Sequence, residues 1–463
     1  MLDLLERQTR LTVNQWKLIF VAILGGALGS LAFFLDSFTL GFTRASRHLA
    51  STQSSLINLV TGVGSVLGAV FWGWVADRVG RREAFIATLL NVSLPSGVMA
   101  LVPDQGGFIL LAVLFFFSGF GGSGLFVALL PLVQEFVTAS KRGWIGGLVI
   151  AVISSGLFAA LQGTRLATLI GWRSLFALGL LPVLVIALIR AWVPESPRWL
   201  IRNGLLENAR RSLAWSLCID PNQIDLPAAL PKMPRTPWYE LFSHRRSVAV
   251  TCLTSLGLVG GAGVAAWTGA VASILKISWA TISHLTLGVA LAGLAGQFVV
   301  SYLSDAVGRR YSGMLCGFGA ALSLALAGFF YDAFFGTASV FWLLMMIATF
   351  FGVGSVTLVR PYAAEVWPVG LRASGIGLAY GVGTLGGLLA PRGLEPIIGA
   401  PSFSSPQATP ESVLPTMLYL AVWYLLSGLV FWLLAIETKG RSIEEIDAAL
   451  TRPLPSLERA PAA

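Results

Sequence analysis

The chain has 463 residues, of which 56% are hydrophobic and 11% charged, with 51 glycines and a formal net charge of +9. A soluble protein carries about 25% charged residues, so the composition excludes a soluble enzyme. Cys218, Cys252 and Cys316 stand singly, without metal-ligand spacing or a disulfide framework, and no cofactor motif accompanies them.

Apolar runs near the roughly 20 residues needed to cross a bilayer recur at 18–43, 55–76, 84–102, 107–134, 144–164 and 171–192. Six more follow at 248–271, 280–303, 311–331, 338–366, 372–394 and 413–436. The first run follows Lys17 and is too long, without a small-residue cleavage site, for a removable signal peptide. Twelve spans put both termini on one side. One set of loops holds Arg7, Arg10, Lys17, Arg78, Lys141, Lys439 and a dense group from Arg198 to Arg246, while the other holds only Arg44, Arg47, Arg165, Arg173, Lys276 and Arg392. The positive-inside rule assigns the first set, and both termini, to the cytoplasm. The positive charge is therefore a topology signal and not a nucleic-acid surface. The expected location is a plasma membrane, such as a bacterial inner membrane.

A polar segment at 193–247 contains PNQIDLPAALPKMPRTP, and its proline density reads as a cytoplasmic linker. It separates an N-terminal six-helix bundle (1–192) from a C-terminal one (248–447), leaving a cytoplasmic tail at 448–463. The halves repeat each other. Gly73-x3-Asp77-Arg78-x-Gly80-Arg81-Arg82 after the second span matches Ser301-x3-Asp305-x2-Gly308-Arg309-Arg310 after the eighth. Pro131-x3-Glu135-x6-Arg142 matches Pro361-x3-Glu365-x6-Arg372, and Pro194-Glu195-Ser196-Pro197-Arg198 stands where Glu437-Thr438-Lys439-Gly440-Arg441 stands in the second half.

These motifs resemble those of the major facilitator superfamily, and the PESPR and ETKGR segments resemble its sugar porters and metabolite:proton symporters. The resemblance covers roughly residues 15–447. It implies an all-α integral membrane protein of twelve transmembrane helices, in two pseudo-symmetric bundles around a central cavity, working by alternating access. Leu35-Asp36-Ser37-Phe38-Thr39 is similar to the LDGFD of aromatic-acid, sialate and monocarboxylate:proton symporters, as is Arg360-Pro-Tyr-Ala-Ala-Glu365. Thr39 replaces the second Asp of that pattern, and Phe117 stands near a position where span 4 of those families often carries Arg. The sugar porters' span 5 and span 7 glutamine motifs are absent.

A Glu-x6-Arg spacing sets the two charges on similar helix faces about 10 Å apart, each able to pair with a neighbouring loop. The resemblance implies that Glu135, Glu195, Glu365 and Glu437 form cytoplasmic clamps with Arg81, Arg82, Arg142, Arg309, Arg310 and Arg372. Static anchoring is the alternative. Asp77 and Asp305 are expected to cap adjacent helix ends in the same gate.

An ionisable residue within a span is costly and marks a functional candidate. Asp36 lies in the outer half of span 1, either as a proton acceptor or as a hydrated residue held by Arg44 or Arg47. Arg360 precedes Arg372 by 12 residues, roughly 18 Å of helix. It either faces the cavity, where it would attract a carboxylate, or pairs internally with Glu365 or Asp36. Asn58, Gln162, Trp267, Gln297, Tyr380 and Tyr424 are uncharged candidates for lining the cavity.

The leading expectation is a monomeric secondary transporter that carries a small carboxylate metabolite in symport with protons. A sugar or polyol transporter, a drug/proton antiporter and a non-transporting solute sensor are the alternatives. A sensor is expected to carry a longer tail than the 22 residues after Arg441. No nucleophile elbow, metal cluster or nucleotide loop appears, so no enzyme or ATP-driven pump is expected.

Overall fold

The computed structural model describes residues 5, 8, 10–46, 51–103, 107–138, 140–154, 171–224, 236–262, 271, 274, 275, 279–336, 338–398, 409–441, 445 and 446. Every one of the twelve expected spans contains helix, and nine helices among the described residues are long and apolar enough to cross a membrane. The N-terminal half comprises α1 (Val13–Ser46), α2 (Ser51–Val79), α3 (Arg81–Met99), α4 (Phe108–Gln134), α5 (Arg142–Ser154), α6 (Trp172–Leu178) and α7 (Leu181–Trp192). The sixth span is thus two helices, broken at Gly179 and Leu180.

Between the halves, α8 (Pro197–Arg202) and α9 (Leu206–Leu217) give helical structure to part of what reads in the sequence as a cytoplasmic linker. Its prolines do not prevent this. Pro197 occupies the first turn of α8, where its missing N–H costs nothing, and Ser196 caps that helix by accepting from the Trp199 amide. Leu200, Leu213 and Ile224 close a small core of their own. The C-terminal half comprises α10 (Arg245–Gly261), α11 (Trp279–Ala306), α12 (Arg309–Phe329), α13 (Val340–Gly354), α14 (Val356–Glu365), α15 (Arg372–Ile398) and α16 (Pro410–Leu433). The tenth span is also broken, at Ser355 between α13 and α14.

Each half has its own hydrophobic core. Large apolar side chains such as Leu101, Ile109 and Leu184 remain outward-facing and exposed, as a lipid-facing surface requires. The repeat read in the motifs is repeated in the backbone. Gly80 and Gly308 both adopt φ 122°, with ψ 156° and 157°. At each turn a carboxylate from the end of the same half takes the place a Cβ would fill: Glu195 at Gly80 and Glu437 at Gly308. Glu195 accepts from the amides of Arg81 (2.9 Å) and Arg82 (3.1 Å), and Glu437 from those of Arg309 (2.9 Å) and Arg310 (3.1 Å). Both carboxylates therefore satisfy orphan donors at a helix N-terminus, where negative charge is favoured.

One seam between the halves runs along α2 and α15, and at another Gly147 of α5 lies against Ser301 of α11. Along the first the backbones touch directly: Gly73 lies against the Ala373 carbonyl and Gly377 against the Ala69 carbonyl, with no room for a side chain at either glycine.

Candidate functional site: a central cavity and the charges around it

The Ser355 break begins α14 afresh inside the membrane, and Arg360 projects from it into a cavity of about 280 Å³ between the halves. Phe33 of α1, Ser65 of α2, Ser255 of α10 and Tyr380 and Thr384 of α15 are among the walls, which are otherwise mostly aliphatic. The guanidinium carbon lies 4.4 Å from the Phe126 ring centroid and 4.5 Å from that of Tyr380. Those two rings, one from each half, stack 5.6 Å apart at 21°. This contact supplies cation–π attraction but no hydrogen-bond acceptor. Arg360 Nη1 is buried without a partner, and among the described residues no carboxylate is within ion-pair reach of it.

The alternative reading, an internal pair of Arg360 with Glu365 or Asp36, does not hold. Glu365 is held by Arg309 (3.0 Å) and Thr438 (2.5 Å). Asp36 is engaged elsewhere.

The packing of three helices explains where. Gly29 of α1 abuts Leu89 of α3 and Leu125 of α4. Seven residues further along α1 and α3, and seven back along antiparallel α4, two helical turns bring Asp36 to Ser96 and Ser118. Ser96 donates to Asp36 Oδ1 at 2.6 Å and Ser118 to Oδ2 at 2.5 Å. Asp36 is 1% exposed, so the hydrated outer-mouth reading is overturned. Phe117 is exposed, and its neighbour Ser118 supplies the face of α4 that meets Asp36.

The end of the bundle bearing the Gly80 and Gly308 turns is closed by contacts between halves. Buried Glu135 takes Arg372 of the other half at 3.1 Å and Arg81 of its own at 3.5 Å, and it also accepts from the Ser196 hydroxyl. Burial pushes the Glu135 carboxyl up, but Arg81 and Arg372 outweigh this and hold it below its ordinary range. Asp77 pairs with Arg81 at 3.0 Å and caps α15, accepting from the Ser374 amide (2.8 Å) and hydroxyl (2.7 Å). Asp305 pairs with Arg309 at 2.6 Å and accepts from the Trp144 amide of the other half.

Arg82 and Arg310 do not cross between halves. They donate to the carbonyls of Arg190 and Trp432, each within its own half. Arg142 is buried and donates to the Val137 carbonyl.

Of the uncharged candidates among the described residues, only Tyr380 reaches the cavity wall. Asn58 is exposed on α2 and does not line it: it shares the face of Ser65 but sits two turns, about 10 Å, further along the helix. Gln297 is buried in α11 with its Oε1 unpartnered, and Tyr424 is buried against Gly261 and Gly352; neither lines the cavity. Gln162, Trp267 and Arg165, and the side chains of Arg44 and Arg47, lie outside the described residues. Phe126, Ser96, Ser118 and Ser374 are missed by sequence reasoning. The one available signal was Ser118, a hydroxyl interrupting the apolar run FFFSGF.

Two repeated helical halves, a cavity between them and a closed charged end define a secondary transporter of the major facilitator type. The chain belongs to the Sugar (and other) transporter family, which it matches over residues 20–450. It is 24% identical to the cis,cis-muconate transport protein of Acinetobacter baylyi, across 83% of this chain and 88% of that one. It is 27% identical to the niacin transporter NiaP of the same organism, across 84% and 89%. The structure of the proton:xylose symporter XylE bound to 6-bromo-6-deoxy-D-glucose shares the fold, with a TM-score of 0.72 at 18% identity over 93% of this chain and 99% of that one. The protein is a multi-pass transporter of a small organic solute and not an enzyme.

Proposed function

We propose that the protein is a proton-coupled symporter of a small organic carboxylate, functional as a monomer in a plasma membrane with both termini in the cytoplasm. The observation that carries this reading is the Arg360 guanidinium, set in the cavity wall against two aromatic rings with a buried N–H unpartnered. A carboxylate is the complementary group, since charge-assisted bonds to a guanidinium are the stronger kind. Relatives named for muconate and niacin agree with an acidic substrate. Asp36 is the proton site in this reading, being the buried carboxyl of the first span without an arginine partner among the described residues.

Counterflow in proteoliposomes tests the function. Labelled muconate or nicotinate is expected to exchange and, under an inward proton gradient, to accumulate. Exchange of xylose with neither acid moving would transfer the reading to a sugar carrier.

The charged end acts as the cytoplasmic gate, formed when the cavity opens outward and broken when it opens inward. Glu135→Ala or Arg372→Ala removes one side of the contact between halves, and each is expected to slow counterflow severalfold while keeping the rank order of substrates. A changed rank order at full rate would remove these residues from the gate.

A further inference from the structure

Ser96 has one hydroxyl hydrogen and two acceptors in reach, Asp36 Oδ1 at 2.6 Å and the Phe176 carbonyl at 3.2 Å. That carbonyl also accepts from the Gly179 amide at 3.0 Å, at the break between α6 and α7. Gly179 sits so close to the Ser96 side chain that a Cβ there would collide with it. Ser118 completes the shell on the other carboxylate oxygen, and both serines are fully buried. Among the described residues no charged group takes over this role. Of the helices packed on α1, α4 carries no charged residue, while α2, α3, α5, α7 and α9 carry theirs at the opposite end. Arg173 on α6 shares the Asp36 end, and its guanidinium lies 4.4 Å from the Trp172 ring.

We propose that Ser96 and Ser118 are positioning residues that set how readily Asp36 takes up its proton, and that Ser96 relays the event to the α6–α7 break. While Asp36 is ionised, both hydroxyls donate to it and favour the charged form. When a proton reaches Oδ1, that oxygen becomes a donor to Ser96 Oγ. The Ser96 hydrogen then turns to the Phe176 carbonyl, so no polar group is left unpaired and the bond pattern at the helix break changes. The proposal deepens the proton reading of Asp36 and rests on it for its role in transport.

The test is infrared difference spectroscopy of the purified protein across pH, following the protonated-carboxyl band that Asp36→Asn removes. Losing one hydroxyl donor to a charged group corresponds to about one to two pH units. The band's midpoint is therefore expected to rise by about one to two units in Ser118→Ala and in Ser96→Ala. Ser118→Thr, which keeps the hydroxyl, is expected to restore it. An unmoved midpoint in both alanine variants overturns the proposal.

Hydrogen exchange over residues 172–182, corrected for intrinsic pH effects, tests the relay. It is expected to change across the midpoint in wild type and Ser118→Ala but not in Ser96→Ala; no change in wild type overturns the relay. A midpoint that moves while the pH profile of uptake stays fixed supports the serines' role and instead sinks the assignment of Asp36 as the transport proton site.

Discussion

Arg360→Ala is expected to weaken binding of an organic acid about 10- to 150-fold while leaving its neutral amide analogue nearly unchanged. The range follows from charge-assisted hydrogen bonds worth roughly 1.5–3 kcal/mol, at about 1.4 kcal/mol per tenfold in affinity. The amide control matters because Arg360 also touches Phe126 and Tyr380. Truncation disturbs that aromatic contact for any ligand, but only an acid loses its counter-charge. Arg360→Lys keeps the charge and forfeits the planar fork, so an intermediate loss is expected. Equilibrium binding of the acid and amide to the three proteins decides the matter. Equal losses for both ligands would make Arg360 a packing element and favour a neutral substrate such as a sugar.

Asp36→Asn is expected to abolish accumulation driven by a pH gradient while substrate exchange at equal pH continues. Asparagine fits the same volume and can still bond Ser96 and Ser118, so the substitution removes titration without emptying the site. Uptake against a gradient, measured beside counterflow in the same vesicles, separates the two activities. Full pH-driven accumulation by the variant would place the coupling proton elsewhere or make the protein a uniporter.

The twelve spans and the duplicated halves were legible because hydropathy and repeated motifs are local, countable patterns. Arg360 was legible for the same reason, as a charge inside an apolar run. What surrounds it was not. Phe126 lies 234 residues away in sequence, on a helix whose apolar face looks uniform. Ser96 and Ser118 are likewise ordinary small residues until helix register sets them beside Asp36. Asp77 caps an adjacent helix end as expected, but that this helix starts almost 300 residues further on was not legible. Part of the segment between the halves is helical, because Pro197 starts α8 and Pro221 a short turn, while most of its proline-dense run lies outside the described residues.

The direct backbone contact along α2 and α15 has a kinetic consequence. Where Gly73 and Gly377 lie on facing carbonyls, no interlocked side chains must disengage as one half tilts over the other. At these two points few rotamers must reorder on each stroke, whereas along the same helices Leu388 packs on Gly62 and Asp77 bonds Ser374. Resistance to movement is concentrated in those side-chain contacts and in the ion pairs of the charged end. The high glycine content of this chain thus also bears on how fast its two halves can change places.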